Sequence, residues 1–334
     1  MKNKRATIVD VAREAGVSVS TVSHVFSAKR PISGNVKYRV LDISGRLNYR
    51  PNYSAQSLAR KKTMKIGVLL RDMVDQYASL TIQSIENSVE KLGYQLLLGL
   101  AGDSDKKAND YVDGWLGGMV DGIILDTYTG GEKLVHVILE EGFPVATPMA
   151  EGGLYDRIRG TVLQTEDSCR RVLEYLYQLG HREFGVLWYR GGYYKLFHEF
   201  LEDKELYSGS EREVLDIRDM EEAEFAATDL LKQCPDITAL LCYNDTLAIG
   251  AVKAAKGLGI KMPEGLSITG VGGLKLGEVT TPSITTIKYP LVDMCDFAVQ
   301  KVINQINLLP PLPVRAFSTE LIIRESTAVA RVTN

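Results

Sequence analysis

Long apolar runs are missing from the 334 residues: no stretch of about 18 apolar residues occurs, so no membrane-spanning helix is expected. The basic start MKNKRATIVDVAREAG has no apolar core behind it, so no export is expected and the place of work is the cytoplasm. Cysteine is scarce and scattered (Cys169, Cys234, Cys242, Cys295), with no CxxC pair, which points to reduced, structural thiols. The four histidines, His24, His136, His181 and His198, lie far apart and lack metal-ligand spacing. GGMVDG, GVGG and RGGYY are rich in glycine, yet none has phosphate-loop or dinucleotide-loop spacing after a strand, and they read as turns. No GxSxG elbow is present. Nothing in this inventory points to an enzyme, a metal or a cofactor.

Acidic residues are nearly absent from one end. Residues 1–62 carry 13 Lys and Arg against Asp10, Glu14 and Asp42, a balance of +10. The rest carries 26 basic and 39 acidic residues, a balance of −13. A short basic head on an acidic body is the electrostatic footprint of a nucleic-acid-binding protein.

The head also has an ordered apolar pattern. ATIVDVAREAGVS predicts a short helix over about 8–14, with Thr7 as N-cap and Asp10 in the capping-box place. Val11, Ala12 and Ala15 form its inner face, and Gly16 permits the turn that follows. Ser18 caps a second helix over about 18–26, with Val22, Val25 and Phe26 inward. A third helix, about 33–47, carries Val36, Val40, Leu41, Ile43 and Leu47. Three short helices with a glycine turn between the first two make a helix-turn-helix. The second helix, GVSVSTVSHVFS, fills the gaps between its valines with small hydroxyls rather than Lys, Glu or Gln, which suits close approach to bases and phosphates in a major groove. Val19 and Ser20 are expected to face the groove, with Thr21, Ser23 and His24 nearby, and Thr7 and Ser18 are expected among the DNA-binding residues. Lys4, Arg5, Lys29, Arg30 and Lys37 are expected phosphate contacts.

TIVDVAREAGVSVSTVSHVFS followed by LNYRPNYSAQSLARKKT resembles the start of the LacI/GalR family of bacterial transcription regulators. The resemblance places the end of the head at Tyr49–Arg50–Pro51–Asn52, and it makes residues 54–59 a hinge helix that enters the minor groove when paired with its dimer partner. In that setting Asn52, Tyr53, Ala55, Leu58 and Ala59 are DNA-binding residues, with Leu58 the apolar wedge at the central base step. By itself, YSAQSLARKK reads as a helix too short to be stable alone, with basic residues at its C-terminal end.

From Lys65 the pattern becomes strand and helix in alternation. MKIGVLL (64–70), YQLLLGLA, DGIILD (121–126) and PVATPM form one series. FGVLW (184–188), ITALLC (237–242) and LSITGVG (266–272) form a second. SLTIQSIENSVEKLG (79–93) is an amphipathic helix closed by Gly93. Continuous Ile, Val and Leu strands separated by helices indicate parallel sheets covered on both faces, with ligands at the strands' carboxyl ends. The resemblance extends here, through LGHREFGVL (179–187), YNDTLAIGAVKAAKGLGIKMPEGLSITGVGG (243–273) and TTPSITTIKYPLVDMCDFAV (280–299). It implies a helix-turn-helix domain (1–52), a hinge helix and linker (53–63) and an α/β, periplasmic-binding-protein-like effector and dimerisation core (64–334). The core's two parallel-sheet subdomains are expected at about 64–164 with 289–321 and about 165–288 with 322–334. Chain crossovers are expected near 162–166, 286–290 and 320–324.

The effector positions implied by the resemblance match poorly. The family's Gly-Phe-Asp-Asp loop is Gly270-Val271-Gly272-Gly273, its Asp-Asn at the first crossover is Gln164-Thr165, and its clamping Arg falls near Lys195–Leu196. Asn244 and Asp245 are kept. Trp188, Arg190, Tyr193, Tyr194 and Lys195 are the substitutes on offer for that wall; Asp72, Gln76 and Tyr77 are the first-lobe candidates, and Gln164 and Gly273 complete the set. An unpaired buried polar group costs about 1–3 kcal/mol, so losing carboxylates changes what the cleft holds.

The sequence therefore reads as a homodimeric, operator-binding transcription regulator, a repressor rather than an activator, controlled by a small metabolite, with a sugar or sugar derivative first in line. The same regulator governed by a protein partner or by an atypical non-sugar effector is the alternative, and a small-molecule sensor without DNA function a distant one. Charge makes the first test. A dimer neutralising about 6–10 phosphates should lose about 10³- to 10⁵-fold in operator affinity as salt rises from about 50 to about 200 mM. A flat salt titration by fluorescence anisotropy would remove the phosphate-binding role from the head.

Overall fold

A computed structural model describes residues 6–27, 31–52, 57–58, 60–73, 76–126, 131–149, 154–158, 161–163, 165–188, 192–206 and 209–331. The chain divides into two compact units, Met1–Met64 and Lys65–Asn334.

In the first unit, Thr7 caps α1 (Ile8–Ala15), and its reciprocal bond with Asp10 completes a capping box. Gly16 closes the helix in the left-handed region (φ 63°), where a Cβ would be strained. α2 (Val19–Ser27) and α3 (Gly34–Arg46) follow. Val11, Ala12, Ala15, Val22, Val25, Val40 and Ile43 make the small core, edged by Ile8, Val17, Phe26, Ile32, Val36, Leu47 and Tyr49. Leu41 lies on the opposite side of α3 and is exposed, because Val40 and Ile43 already fill the contact with α1 and α2.

In the second unit, the first lobe carries β1 (Lys65–Leu70), α4 (Gln76–Lys91), β2 (Gln95–Leu100), α5 (Asp105–Gly114), β3 (Gly122–Leu125), α6 (Gly131–Glu140) and β4 (Val145–Ala146). The strands form a parallel sheet in the order β2-β1-β3-β4. A short helix, α7 (Tyr155–Ile158), precedes β5 (Thr161–Leu163). The second lobe carries α8 (Thr165–Gln178), β6 (Phe184–Trp188), α9 (Gly192–Asp203), β7 (Glu213–Leu215), α10 (Met220–Gln233), β8 (Ala239–Cys242), α11 (Asp245–Gly257), β9 (Ser267–Gly272), α12 (Lys275–Glu278) and β10 (Thr285–Lys288). α13 (Leu291–Ile306) then returns to pack on α4 of the first lobe. There the Gln305 amide accepts from the Val145 N–H and donates to its carbonyl, both at 3.0 Å, closing the sheet edge at β4. β11 (Arg315–Phe317) lies parallel to β5 where the chain passes between lobes. β12 (Glu320–Ile322) pairs antiparallel with β10 at the edge of a sheet ordered β12-β10-β9-β8-β6-β7.

The parallel, doubly covered sheets of the expected fold class are thus present. The third crossover comes between Phe317 and Glu320, so Glu320 and Leu321 belong to the second sheet rather than to the first subdomain; ladder pairing of Lys288 with Glu320 is the reason. The short strands β5, β7, β11 and β12 carry too few residues for a hydrophobic period to reveal them. All four cysteines are free and buried, and burial pushes the Cys169 thiol up to about 12, far from reactive. No helix among the described residues is long and apolar enough to cross a membrane.

His181, before β6, ties the second lobe together. It is 1% exposed; its Nε2 lies 3.0 Å from the Ala328 carbonyl and its Nδ1 2.9 Å from Thr238 Oγ1. The carbonyl can only accept, so Nε2 carries the proton and Nδ1 accepts from the Thr238 hydroxyl. Burial, first among the causes, holds its pKa below the usual value. The unfolded chain then takes up a proton at about pH 6.5 that the folded chain refuses, so stability falls as pH drops through that value. Between about pH 7.5 and pH 5.5 the wild-type protein should lose roughly 1 kcal/mol more than His181→Gln in urea unfolding. Parallel losses in the two proteins would contradict a neutral, buried His181.

Candidate DNA-binding face and effector cleft

The face of α2 away from the head's core holds Val19, Ser20 and Ser23, all exposed, with Val19 at 41%. Val22 and Val25 face inward one and two turns along, which fixes this orientation. Ser18 Oγ accepts from the Thr21 N–H at 3.1 Å and so caps the helix; it also lies 2.7 Å from Ser20 Oγ and 2.8 Å from Thr21 Oγ1. The three hydroxyls form one small network, a pre-ordered polar tip at the helix N-terminus. His24 is half-buried and its Nδ1 is closed off without a hydrogen-bond partner among the described residues, so any DNA contact it makes runs through Nε2. Thr7 is exposed, but its hydroxyl is committed to the cap: it donates to Asp10 Oδ2 at 2.7 Å. Asn52 and Lys37 are exposed. Leu58 is 84% exposed, an apolar side chain held out in water next to helical Ser57. Lys4, Arg5, Lys29, Arg30, Tyr53, Ala55 and Ala59 lie outside the described residues.

In the second unit the expected ligand residues sit at the carboxyl ends of the strands, but most of their polar atoms are already engaged. Asn244 is the N-cap of α11, its side-chain oxygen accepting from the Leu247 N–H at 2.8 Å. Asp245 is fully buried: Oδ1 accepts from Thr286 Oγ1 and Oδ2 from the Leu274 N–H, both at 2.6 Å. Desolvation raises its pKa, and these hydrogen bonds and the Arg324 charge work against that rise. Asp245 therefore braces the turn after β9 rather than facing a ligand, a correction to its expected role. Gly270 is part of the same brace, since a Cβ there would overlap Asp245 Oδ1. Gly273 donates its N–H to Thr286 Oγ1 at 3.2 Å and lies against Lys288.

Trp188, expected as a stacking platform, is only 4% exposed and meets the Tyr243 ring edge-on at 5.8 Å; the end of β6 points it into the core. The Tyr194 hydroxyl donates to Glu213 Oε2 at 2.5 Å, while His198 Nε2 lies 3.1 Å from Glu213 Oε1, which binds α9 to β7. Lys195 points to solvent and pairs with Glu199 at 3.0 Å, one turn on, so it is no cleft residue. Arg190 and Gln164 lie outside the described residues, and of Tyr193 only its place in α9 is described.

From the first lobe, Asp72 accepts from Arg71 Nε at 3.0 Å. Gln76 crosses to the second lobe, its side-chain oxygen accepting from the Leu276 N–H at 3.3 Å. The Tyr77 hydroxyl reaches Met149 Sδ at 2.6 Å, and both side chains pack on the second-lobe cluster holding Trp188, Val271, Ile287 and Tyr289. Three residues that sequence reasoning passed over also meet here. Asp103, after β2, takes Arg218, after β7, at 3.2 Å and Arg71, after β1, at 3.9 Å. Each follows a strand's carboxyl end, and that position is the one signal that could have singled them out. Among the described residues no group of His, Cys, Asp and Glu is arranged to hold a metal.

The family profile described as "Bacterial regulatory proteins, lacI family" matches residues 7–52, and "Periplasmic binding protein-like domain" matches residues 173–327. The ribose operon repressor of Halalkalibacterium halodurans is 29% identical over 332 residues, covering 96% of this chain and 97% of that protein. Catabolite control protein A of Staphylococcus epidermidis is 28% identical over 304 residues, 86% of this chain and 88% of that one. In fold, the Lac repressor dimer bound to operator and the anti-inducer ONPF superposes with a TM-score of 0.83 at 22% identity, over 97% of this chain and 100% of that one. The transcriptional regulator CelR–cellobiose complex gives 0.71 at 20% identity, over 96% and 100%. A head whose capped helices and exposed α2 face fall inside the first matched segment precedes two parallel-sheet lobes, of which the second supplies most of the other matched segment: residues 7–52 form a lacI-family regulatory domain and residues 173–327 a periplasmic-binding-protein-like one.

Proposed function

We propose that this protein is a transcriptional repressor that binds a pseudo-palindromic operator as a homodimer and releases or grips it in response to a small molecule in the core's cleft. The observation that carries the reading is the exposed Val19–Ser20–Ser23 face of α2, set opposite a buried Val22–Val25 core in the segment that the lacI-family profile matches. Each head reads a half-site in the major groove, with Val19 against a thymine methyl and the Ser18–Ser20–Thr21 hydroxyls on bases or phosphates. Leu58 of each hinge pries open the central step from the minor groove. The effector biases the two lobes between arrangements, and coupling of this kind amounts to about 1–3 kcal/mol. The protein works in the cytoplasm as a regulator, not as an enzyme.

The printed name of one relative, the ribose operon repressor, supports a carbohydrate-derived effector. One observation favours the reading in which that effector is atypical. Asn244, Asp245 and Gln76, which the resemblance assigned to the ligand, already hold protein partners, and Gly272–Gly273 offers no carboxylate. A polyol ring would find few open acceptors on this wall.

The hinge supplies the test. Once an operator has been selected from random duplexes, Leu58→Ala should weaken its binding by about 10- to 100-fold and change binding to a scrambled duplex by less than about twofold. Equal losses on both duplexes, read by anisotropy, would sink the wedge and with it the operator-kinking mechanism.

A further inference from the structure

Besides Gln76 with Leu276 and the packing of Tyr77 and Met149, the two lobes meet through the Asp103 carboxylate at the carboxyl ends of their edge strands. Asp103 Oδ2 lies 3.2 Å from an Arg218 guanidinium nitrogen of the second lobe, and Asp103 Oδ1 lies 3.9 Å from one of Arg71 in the first. The three residues follow β7, β2 and β1 at their carboxyl ends, where β2 and β7 are edge strands of the two sheets. Arg71 turns its Nε to Asp72, which leaves its terminal nitrogens for Asp103. Arg218 donates its backbone N–H to Glu222 at 2.9 Å, so its guanidinium is the part that spans the cleft. The side chains of Asp103 and Arg218 are 64% and 65% exposed, and that of Arg71 is 43% exposed.

We propose that Arg71 and Arg218 form a site for the anionic group of the cleft effector, and that Asp103 is the resident stand-in for that group when no effector is bound. The inference rests on the reading of the cleft as an effector site and names the ligand's chemical class: a small metabolite bearing a phosphate or a carboxylate. Two forked guanidiniums from opposite walls, converging on one carboxylate, are the donor set that binds an oxyanion bidentately. The resident contacts are poor ones, one single and one long, between well-exposed side chains, so a ligand oxyanion displaces them at little cost. The rest of the wall agrees. Its expected acceptors for neutral hydroxyls are missing at Gly272–Gly273 or used up at Asn244, Asp245 and Gln76, while among the described residues the two guanidiniums pair with carboxylates, Arg71 with Asp72 and Asp103 and Arg218 with Asp103. An effector so bound bridges the lobes in place of Asp103, which gives it a direct hold on their relative position.

The experiment uses the full-length protein and inorganic phosphate as the probe, with chloride at matched ionic strength as the control and succinate as a parallel arm for the carboxylate class. Asp103→Asn removes the resident anion and leaves both guanidiniums in place. Its thermal midpoint should rise with phosphate or succinate at a half-saturating concentration about fivefold lower than wild type requires. The rise should vanish in Asp103→Asn/Arg218→Gln. A stronger phosphate arm assigns a phosphorylated effector and a stronger succinate arm a carboxylic acid; either supports the site. An anion response that survives loss of Arg218, or no difference between wild type and Asp103→Asn in either arm, overturns it. All three side chains are exposed, so the variants fold, and an unchanged midpoint in chloride checks this directly. The readout needs no DNA: a failure here leaves operator binding intact as a question, and a failure of operator binding leaves this result standing.

Discussion

The second lobe is organised around a carboxylate kept away from water. Asp245 opens α11, yet its two oxygens go to Thr286 on β10 and to the backbone of Leu274 beyond β9, so one side chain joins a helix to two strands. Taking an acid out of solvent costs free energy, which is why burial raises its pKa; the hydrogen bonds it collects offset that cost only if their geometry is kept. The surroundings comply. Gly270 has no Cβ where one would strike Oδ1, and Gly273 takes the left-handed turn (φ 69°) that brings Leu274 N–H within reach. Gly270 is therefore the steric complement of a buried acid, while a Cβ at Gly273 would meet Lys288 instead.

That constraint shapes the rest of the cleft. With Asp245 turned inward and Asn244 spent on the α11 cap, the second wall keeps neither side chain's acceptor oxygens open to a ligand. Tyr77 and Met149 of the first lobe meet it there, packing on Trp188, Val271, Ile287 and Tyr289. Polar traffic between the lobes is displaced outward, to Gln76 with Leu276 and to Asp103 with its two arginines. Apolar contact is indifferent to small rotations, whereas exposed ion pairs are weak and exchange partners readily. Interlobe contacts of this mixed kind suit two arrangements of similar free energy, which a switch requires.

What the sequence made legible divides along contact distance. The head was readable because its determinants are local: Thr7 and Asp10 are three residues apart, Gly16 sits one residue past its helix, and the buried valines of α2 repeat at three-residue spacing. The long strands of the core were readable for the same reason, as continuous apolar runs. The cleft was not. Asn244 and Asp245 looked like ligand residues, and only partners at Leu274 and Thr286, up to 41 residues on, reveal a brace. Trp188 and Lys195 carried suitable chemistry, but a strand end aims one into the core and a helix face aims the other into water. Asp103 and Arg218 stand 115 residues apart, and neither is distinctive until the fold brings two strand ends together.

The two halves of the protein also differ in how their functional groups are held. On the head, the hydroxyls of Ser18, Ser20 and Thr21 satisfy one another at the tip of α2 and can trade those bonds for DNA without passing through an unpaired state. Asp103 does the same for the arginines of the cleft. Leu58 is the opposite case: a large apolar side chain left in water, which has everything to gain from a partner and loses nothing on leaving solvent. Pre-satisfied polar groups make binding reversible and selective, because only a ligand of matching geometry improves on the internal partner. An unsatisfied apolar group supplies drive without selection. A repressor that must find one site and then let go of it needs both, and here they occupy separate positions in the chain, so that specificity and drive are open to adjustment one residue at a time.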